Sequence, residues 1–456
     1  MKKTFVFLTL STQIIFAQNV AQKLDDATKN LMNSSLAVSS NLSFYVSDES
    51  GNMIYEFQGN KGLSTASTQK IFTAAAALET LGKNYTYKTT SSYSGNISSG
   101  NLNGNLFISS NGDPTLGSWR YEGYKPESFK QKLIEAVKKS GITKISGDLI
   151  IDDSYFDHQT IPGGWPWDDL GNYYGAGVWG VNWRENQFDM NMNGNDIKSF
   201  SYPLEGVKWL NEVKVAGSSD QSLIFTAPHS DVALINGNLP SKAVTVSGSV
   251  PNPPLQLGVE VQKWLKESGI EISGKVVTNS QLEIEGKKAL EAPKNNIILT
   301  YESPTLDKIV YWFLRKSVNL YGENLIKTLG KEKKGNSSFK SGISYLKEFW
   351  KSKGINANMI NFADGSGLSP QNYVSAKAEV QALIYAKKQP WFDSYYDGFP
   401  TQDNGMKMKS GTMRDTKSYA GYHNSKDGKK YVYAIIINNY QGSGSTELQK
   451  ILNVLK

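Results

Sequence analysis

Apolar positions recur along this chain with two periods. Val20, Leu24, Ala27 and Leu31 repeat every three to four residues and predict a helix over 20–32. Phe44-Tyr-Val-Ser and Met53-Ile-Tyr-Glu-Phe57 flank the polar run Asp48-Glu-Ser-Gly-Asn52 and predict a hairpin over 42–58. One stretch breaks both patterns. From Ser64 to Gly82, the residues Ile71, Phe72, Ala74 to Ala77, Leu78 and Leu81 leave almost no polar face. A helix apolar on nearly all sides is one that folding buries, and Gly82 suits the position just past its end. The hairpin feeding into it predicts a sheet lying against that helix.

After Gly82 the pattern turns polar. Residues 83–112 alternate in short runs rich in Tyr, Thr, Ser, Asn and Gly, a β pattern closed by the turn Gly112-Asp-Pro-Thr-Leu116. An internal repeat follows. A helix over 129–139 runs into Ser140-Gly-Ile-Thr-Lys-Ile-Ser-Gly-Asp-Leu-Ile-Ile151, and one over 258–267 runs into Ser268-Gly-Ile-Glu-Ile-Ser-Gly-Lys-Val-Val277. The repeated helix, glycine and strand predict that residues from 83 to about 295 form an insert of one or two domains. Within it, 163–189 gathers Trp165, Trp167, Trp179 and Trp183 with Tyr173 and Tyr174 among glycines. We read that stretch as an ordered loop packed on the insert's sheet rather than as a platform for sugar rings. From Ile297 the globular pattern resumes. It predicts a helix from Leu306 to near Lys316, a second over 322–329 capped by Gly330, a solvated linker at 331–334 and a helix over 376–387. Strands over 407–413, 418–423 and 430–440 and a closing helix over 447–455 complete the pattern.

Composition narrows the setting. The 456 residues suit about three domains. Met1-Lys2-Lys3 followed by an apolar run to Ala17 reads as an export signal cut after Ala17, too short to span a bilayer. The mature chain is therefore expected to be exported, periplasmic and soluble, with no transmembrane anchor. The net charge of +7, or +5 without Lys2 and Lys3, is no nucleic-acid signature. Without cysteine there is no disulfide, thiolate nucleophile or zinc–thiolate site. His158, His229 and His423 are the only histidines, and none sits in a serine-hydrolase or zinc-hydrolase motif. No metal or cofactor is expected.

The candidate chemistry lies at the mouth of the buried helix. Ser67 and Lys70 stand three apart, on one face. Burial favours the neutral amine, which can take the Ser67 proton and make a nucleophile. Ser-x-x-Lys recurs at Ser337 and Ser344, but there in polar or amphipathic surroundings that read as solvated faces. A lysine-assisted serine acyl-transferase also needs a second serine with an amide, and a cation on a strand with glycine beside it. Ser317-Val-Asn319, between two helices, and Lys409-Ser-Gly-Thr412, on a strand, supply them.

Together these elements resemble the Ser-x-x-Lys, Ser-x-Asn and Lys-Thr-Gly signature of β-lactamases and penicillin-binding proteins. Valine stands in the middle of Ser-x-Asn, and Ser410 replaces the threonine. Ser317 stands 250 positions after Ser67, too far for a β-lactamase. The chain is similar instead to the class C low-molecular-mass penicillin-binding proteins, the D-alanyl-D-alanine carboxypeptidase/endopeptidases of peptidase family S13. Gly112-Asp-Pro-Thr-Leu116, Gly147-Asp-Leu-Ile-Ile-Asp-Asp153, Asn319 through Glu323 to Gly330, and Asp364-Gly-Ser-Gly-Leu-Ser369 share in the match.

The resemblance implies an α/β (α+β) fold. A penicillin-binding, serine β-lactamase-like transpeptidase domain (18–86 and 296–456), an antiparallel sheet flanked by helices, is interrupted by a mainly β insert of two domains (87–115 with 268–295, and 116–267). It implies a nucleophile at Ser67, a base at Lys70, a relay at Ser317, and a substrate-holding amide at Asn319. Lys409, with Ser410, Gly411 and Thr412, would bind the terminal carboxylate, and Lys409 would keep Lys70 uncharged by repulsion. Expected partners are peptidoglycan peptide stems and β-lactam antibiotics. A β-lactamase or esterase of the same chemistry, and a non-catalytic wall-binding protein on the same scaffold, are the alternatives.

Overall fold

The computed structural model describes residues 19–456; the export signal read at 1–17 lies outside the described residues. The central sheet is antiparallel throughout. Its order is Met53–Phe57, Asn41–Asp48, Lys430–Asn438, Thr416–Asn424, Met408–Met413. Residues on Lys430–Asn438 alternate between two cores, as a strand covered on both faces must. Tyr431, Tyr433, Ile435 and Ile437 pack toward the terminal helices Val20–Met32 and Gly444–Leu452. Val432, Ala434 and Ile436 pack on the other side. There the helix Ala376–Lys387 lies directly on the sheet, and the buried helix Lys70–Leu81 packs against it in the next layer. The sheet expected to lie on the buried helix is thus separated from it by a further helix, and the turn at 66–69, where that helix begins, packs on the strands Met408–Met413 and Thr416–Asn424.

Helices follow their expected positions with one instructive exception. The second helix after Ile297 runs Asn319–Lys334 rather than over 322–329, and Gly335, left-handed at φ 67 and ψ 11, ends it. Gly330 has a different task. A Cβ there would stand 2.7 Å from the Asn336 carbonyl oxygen and 2.9 Å from the Gly342 nitrogen, so its bareness lets helix Phe339–Ser352 approach. Lys331 to Lys334 form the last helical turn instead of a linker, where cations suit the helix dipole.

The two copies of the repeat lie side by side. Lys144–Ile145 pairs in parallel with Glu271–Ile272, and Leu149–Asp152 with Val276–Thr278. Through Asn101–Asn103 and Leu106–Ser110 the same pairings reach back to the polar β region. Helices Pro126–Lys139 and Pro253–Glu267 share a core with these strands. The expected boundaries at 115/116 and 267/268 therefore cut through hydrogen-bonded sheets. Hydrogen bonding groups 88–152 with 253–302 and leaves 187–250 as two further three-stranded sheets. No helix among the described residues is long and apolar enough to cross a membrane.

Candidate active site

Ser67 lies in the tight turn Ala66–Gln69 that leads into the buried helix, after Ala66 at the strained φ of 48°. Lys70, the first residue of that helix, is fully buried. Its Nζ stands 2.9 Å from Ser67 Oγ, 2.6 Å from Asn319 Oδ1 and 2.7 Å from the Ser366 carbonyl oxygen. Two of these neighbours can only accept. A neutral amine has two N–H groups for them and a lone pair left over, which faces the Ser67 hydroxyl. Asn319 Nδ2 donates to the Tyr174 carbonyl, which turns Oδ1 toward Lys70.

Burial lowers the Lys70 pKa to about 7, against the opposing pull of Asp364 and Glu323. Lys409 and Lys70 repel each other, and burial lowers both. Lys409 is itself held well below the usual lysine range by burial, then by Lys70 and Lys417. Its Nζ lies 3.1 Å from Ser317 Oγ and 2.8 Å from the Ser410 carbonyl oxygen. Ser317 sits between two helices at φ 58°, a left-handed conformation that costs a serine about 1 kcal/mol. The four side chains thus meet in one place, brought from a turn, an inter-helix link and a strand.

Gly411 serves the chain's own packing. A Cβ there would stand 2.2 Å from the Thr65 carbonyl oxygen and 2.9 Å from the Ser67 nitrogen, so only glycine lets strand Met408–Met413 close onto the Ser67 turn. Thr412 rather than Ser410 lines the cleft, and its Oγ1 accepts from Lys417 Nζ at 2.7 Å. Lys417 went unnoticed in the sequence, although a two-residue Arg414-Asp415 turn would have set it opposite Thr412.

Two further groups were not assigned from sequence. Asp364 accepts from Gln69, Gly367, Ser369, Asn372 and the Trp165 indole, and so shapes the turn whose Ser366 carbonyl holds Lys70. The cleft has a volume of about 860 Å³, and one wall is built by Pro166, Asp168, Asp169, Tyr173 and Tyr174 of the Trp-rich stretch. Trp165, Trp179 and Trp183 are buried, as expected of an ordered loop, but Trp165 bonds Asp364 of the catalytic half rather than packing on the insert's sheet alone, and Trp167 is exposed. The other two Ser-x-x-Lys serines lie elsewhere: Ser337 Oγ accepts from the Asp157 amide, and Ser344 is exposed.

Known proteins resemble this chain over most of its length. The model of the D-Ala-D-Ala carboxypeptidase 3 (S13) family matches residues 20–456. The D-alanyl-D-alanine carboxypeptidase DacB of Haemophilus influenzae is 26% identical over 430 residues, covering 88% of this chain and 86% of that protein. The D-alanyl-D-alanine carboxypeptidase of Actinomadura sp. (strain R39) is 25% identical over 445 residues, 90% and 79% of the two chains. The crystal structure of penicillin binding protein 4 (dacB) from Haemophilus influenzae superposes with a TM-score of 0.77 at 25% identity, covering 94% of this chain and 97% of that one. A second structure of that protein, complexed with a β-lactam, has a TM-score of 0.72.

Proposed function

The chain belongs to the D-Ala-D-Ala carboxypeptidase 3 (S13) family, and on that premise we propose that it is an exported serine peptidase that works through an acyl-enzyme on peptidoglycan stem peptides. Ser67 Oγ attacks the carbonyl carbon between two D-amino acids while its proton passes to Lys70 Nζ. The amides of Ser67 and Thr412 receive the developing oxyanion, an interaction worth a few kcal/mol; the close approach of the Gly411 backbone to the Ser67 nitrogen supports their convergence. The proton then travels from Lys70 by way of Ser317 to the leaving amine, and Asn319 holds the substrate's amide. Lys409 and the Thr412 hydroxyl, backed by Lys417, take the terminal carboxylate, whose charge restores the Lys409 proton that burial disfavours. Water hydrolyses the acyl-enzyme.

The same acyl-enzyme serves trimming of a terminal D-alanine and cutting of a D,D cross-link, and both activities fall within the proposal. β-Lactams are proposed to acylate Ser67, as the complexed relative's fold makes reasonable. The single observation that carries the reading is the buried Lys70 amine 2.9 Å from Ser67 Oγ. Labelling with a fluorescent penicillin tests it. Wild-type protein takes up a covalent label and Ser67→Ala does not; a label retained by the variant moves the nucleophile elsewhere. Mass spectrometry of muropeptides after digestion then reads whether D-alanine is released, cross-links are cut, or both.

A further inference from the structure

Trp167 is 54% exposed although Pro166 and Asp168 on either side of it line the catalytic cleft. Its ring leans over Phe225 at 6.1 Å and 39°. Beneath them Val232, Leu234 and Asn236 share one face of the sheet, alternating along the strand Val232–Leu239. With Thr226 and Ser230 they enclose a groove of about 430 Å³ that no charged residue lines. Asn236 stands opposite Leu223, and Leu223 lines the cleft, so groove and cleft adjoin along one strand pair. The Asn236 side-chain amide is half-buried and makes no hydrogen bond among the described residues.

We propose that this groove binds an N-acetylhexosamine ring of the glycan from which the substrate's peptide stem hangs. The inference rests on the peptidase reading above and names what the substrate carries beyond its scissile end. A pyranose has one face of C–H groups, which an exposed indole beside a phenyl ring can cover. Its acetamido group matches a free carboxamide in donors and acceptors. An uncharged lining disfavours an anionic or cationic ligand, and polar groups among apolar ones suit an oriented small ring. Because groove and cleft adjoin at Leu223 and Asn236, a ring held in the groove would lie beside a stem whose D-alanine end is at Ser67.

Two substrates test this: a free pentapeptide ending in D-Ala-D-Ala, and the same peptide on its disaccharide. For the wild type, kcat/KM for the disaccharide form should exceed that for the free peptide by about three- to tenfold. Trp167→Ala should bring the ratio near one, and Asn236→Ala should leave it between. The ratio is internal to each variant, so a general loss of activity does not imitate the effect. Saturation-transfer NMR with the peptide-free disaccharide should give signals with wild-type protein that Trp167→Ala removes. That measurement needs no catalysis: transfer to a protein that cuts neither peptide would support the groove while ending the peptidase reading. A wild-type ratio of one without saturation transfer, or a ratio unchanged in Trp167→Ala, overturns the proposal. So does a dimer dispersed by Trp167→Ala in sedimentation, which would give this face to a second copy of the chain.

Discussion

A lysine amine stripped of water becomes a base at a pH where exposed lysines are still fully charged. With Lys70 lowered to about 7, acylation should rise with pH through neutrality, half-maximal near 7, in stopped-flow traces with a chromogenic β-lactam. Lys70→Arg keeps the charge and cannot give up its proton, and should slow acylation by about 10²–10⁴-fold. A second buried group lies behind the nucleophile. Glu379 accepts from Thr68 Oγ1 at 2.6 Å, and burial pushes its carboxyl up to about 8. The folded protein therefore keeps a proton that the unfolded chain loses near 4.5. The stabilisation is complete below that value and is lost as pH rises through 8. Lys70 acts in the opposite direction, adding stability as pH climbs from 7 toward 10.5. Glu379→Gln should remove the first effect, so that its unfolding free energy in denaturant titrations falls less than wild type's from about pH 6 to about pH 9, by an amount on the order of a few kcal/mol. Ser67 and Lys70 were legible in the sequence because a nucleophile and a base three apart opened a run with no polar face. Glu379 was not, and for Glu323 and the Ser366 carbonyl only membership of a matching segment was, because what makes them matter is burial among distant segments, which no local pattern carries.

Among the elements, the strand Met408–Met413 shows how tightly the site is assembled. Gly411→Ala would drive a methyl into the Thr65 carbonyl and the Ser67 nitrogen. The strand would have to move away from the nucleophile's turn. We expect a loss of roughly 1–3 kcal/mol in urea unfolding, together with slower acylation at saturating β-lactam. The hairpin at 42–58 and the helix over 376–387 could be read locally, the first from two apolar runs around a polar turn and the second from its apolar repeat. The helix Asn319–Lys334 extends past the expected 322–329 at both ends. Its first turn holds Asn319 against Lys70, and its Gly330 answers to a neighbouring helix rather than to a terminus. A glycine placed for close approach looks, in sequence, like one placed for a cap.

Across the molecule, a buried carboxylate is among the groups that tie the insert to the catalytic half. Glu185 accepts from Ser118, Arg120 and Tyr321, and Tyr321 lies on the helix that begins at Asn319. Arg184, Glu185 and Asn186 all take positive φ to present it, a local strain that the sequence does not announce. Glu185→Ala would remove the shared acceptor of a half-buried guanidinium and two buried hydroxyls, and should cost about 3 kcal/mol in denaturant unfolding. The repeat announced that an insert exists, but which strands pair within it depended on parallel contacts between segments more than a hundred residues apart. The same long reach governs the peptidase half, where Asn41–Asp48 lies between its hairpin partner and Lys430–Asn438. A chain made and threaded from its amino end holds that early strand unpaired on one edge until its final segment arrives, while every strand of the insert is already available. Limited proteolysis of a chain ending at residue 425 should find 88–302 resistant and 41–86 readily cut. Birth order thus runs against architecture: the interruption can mature first, and the catalytic half waits for the last words of the message.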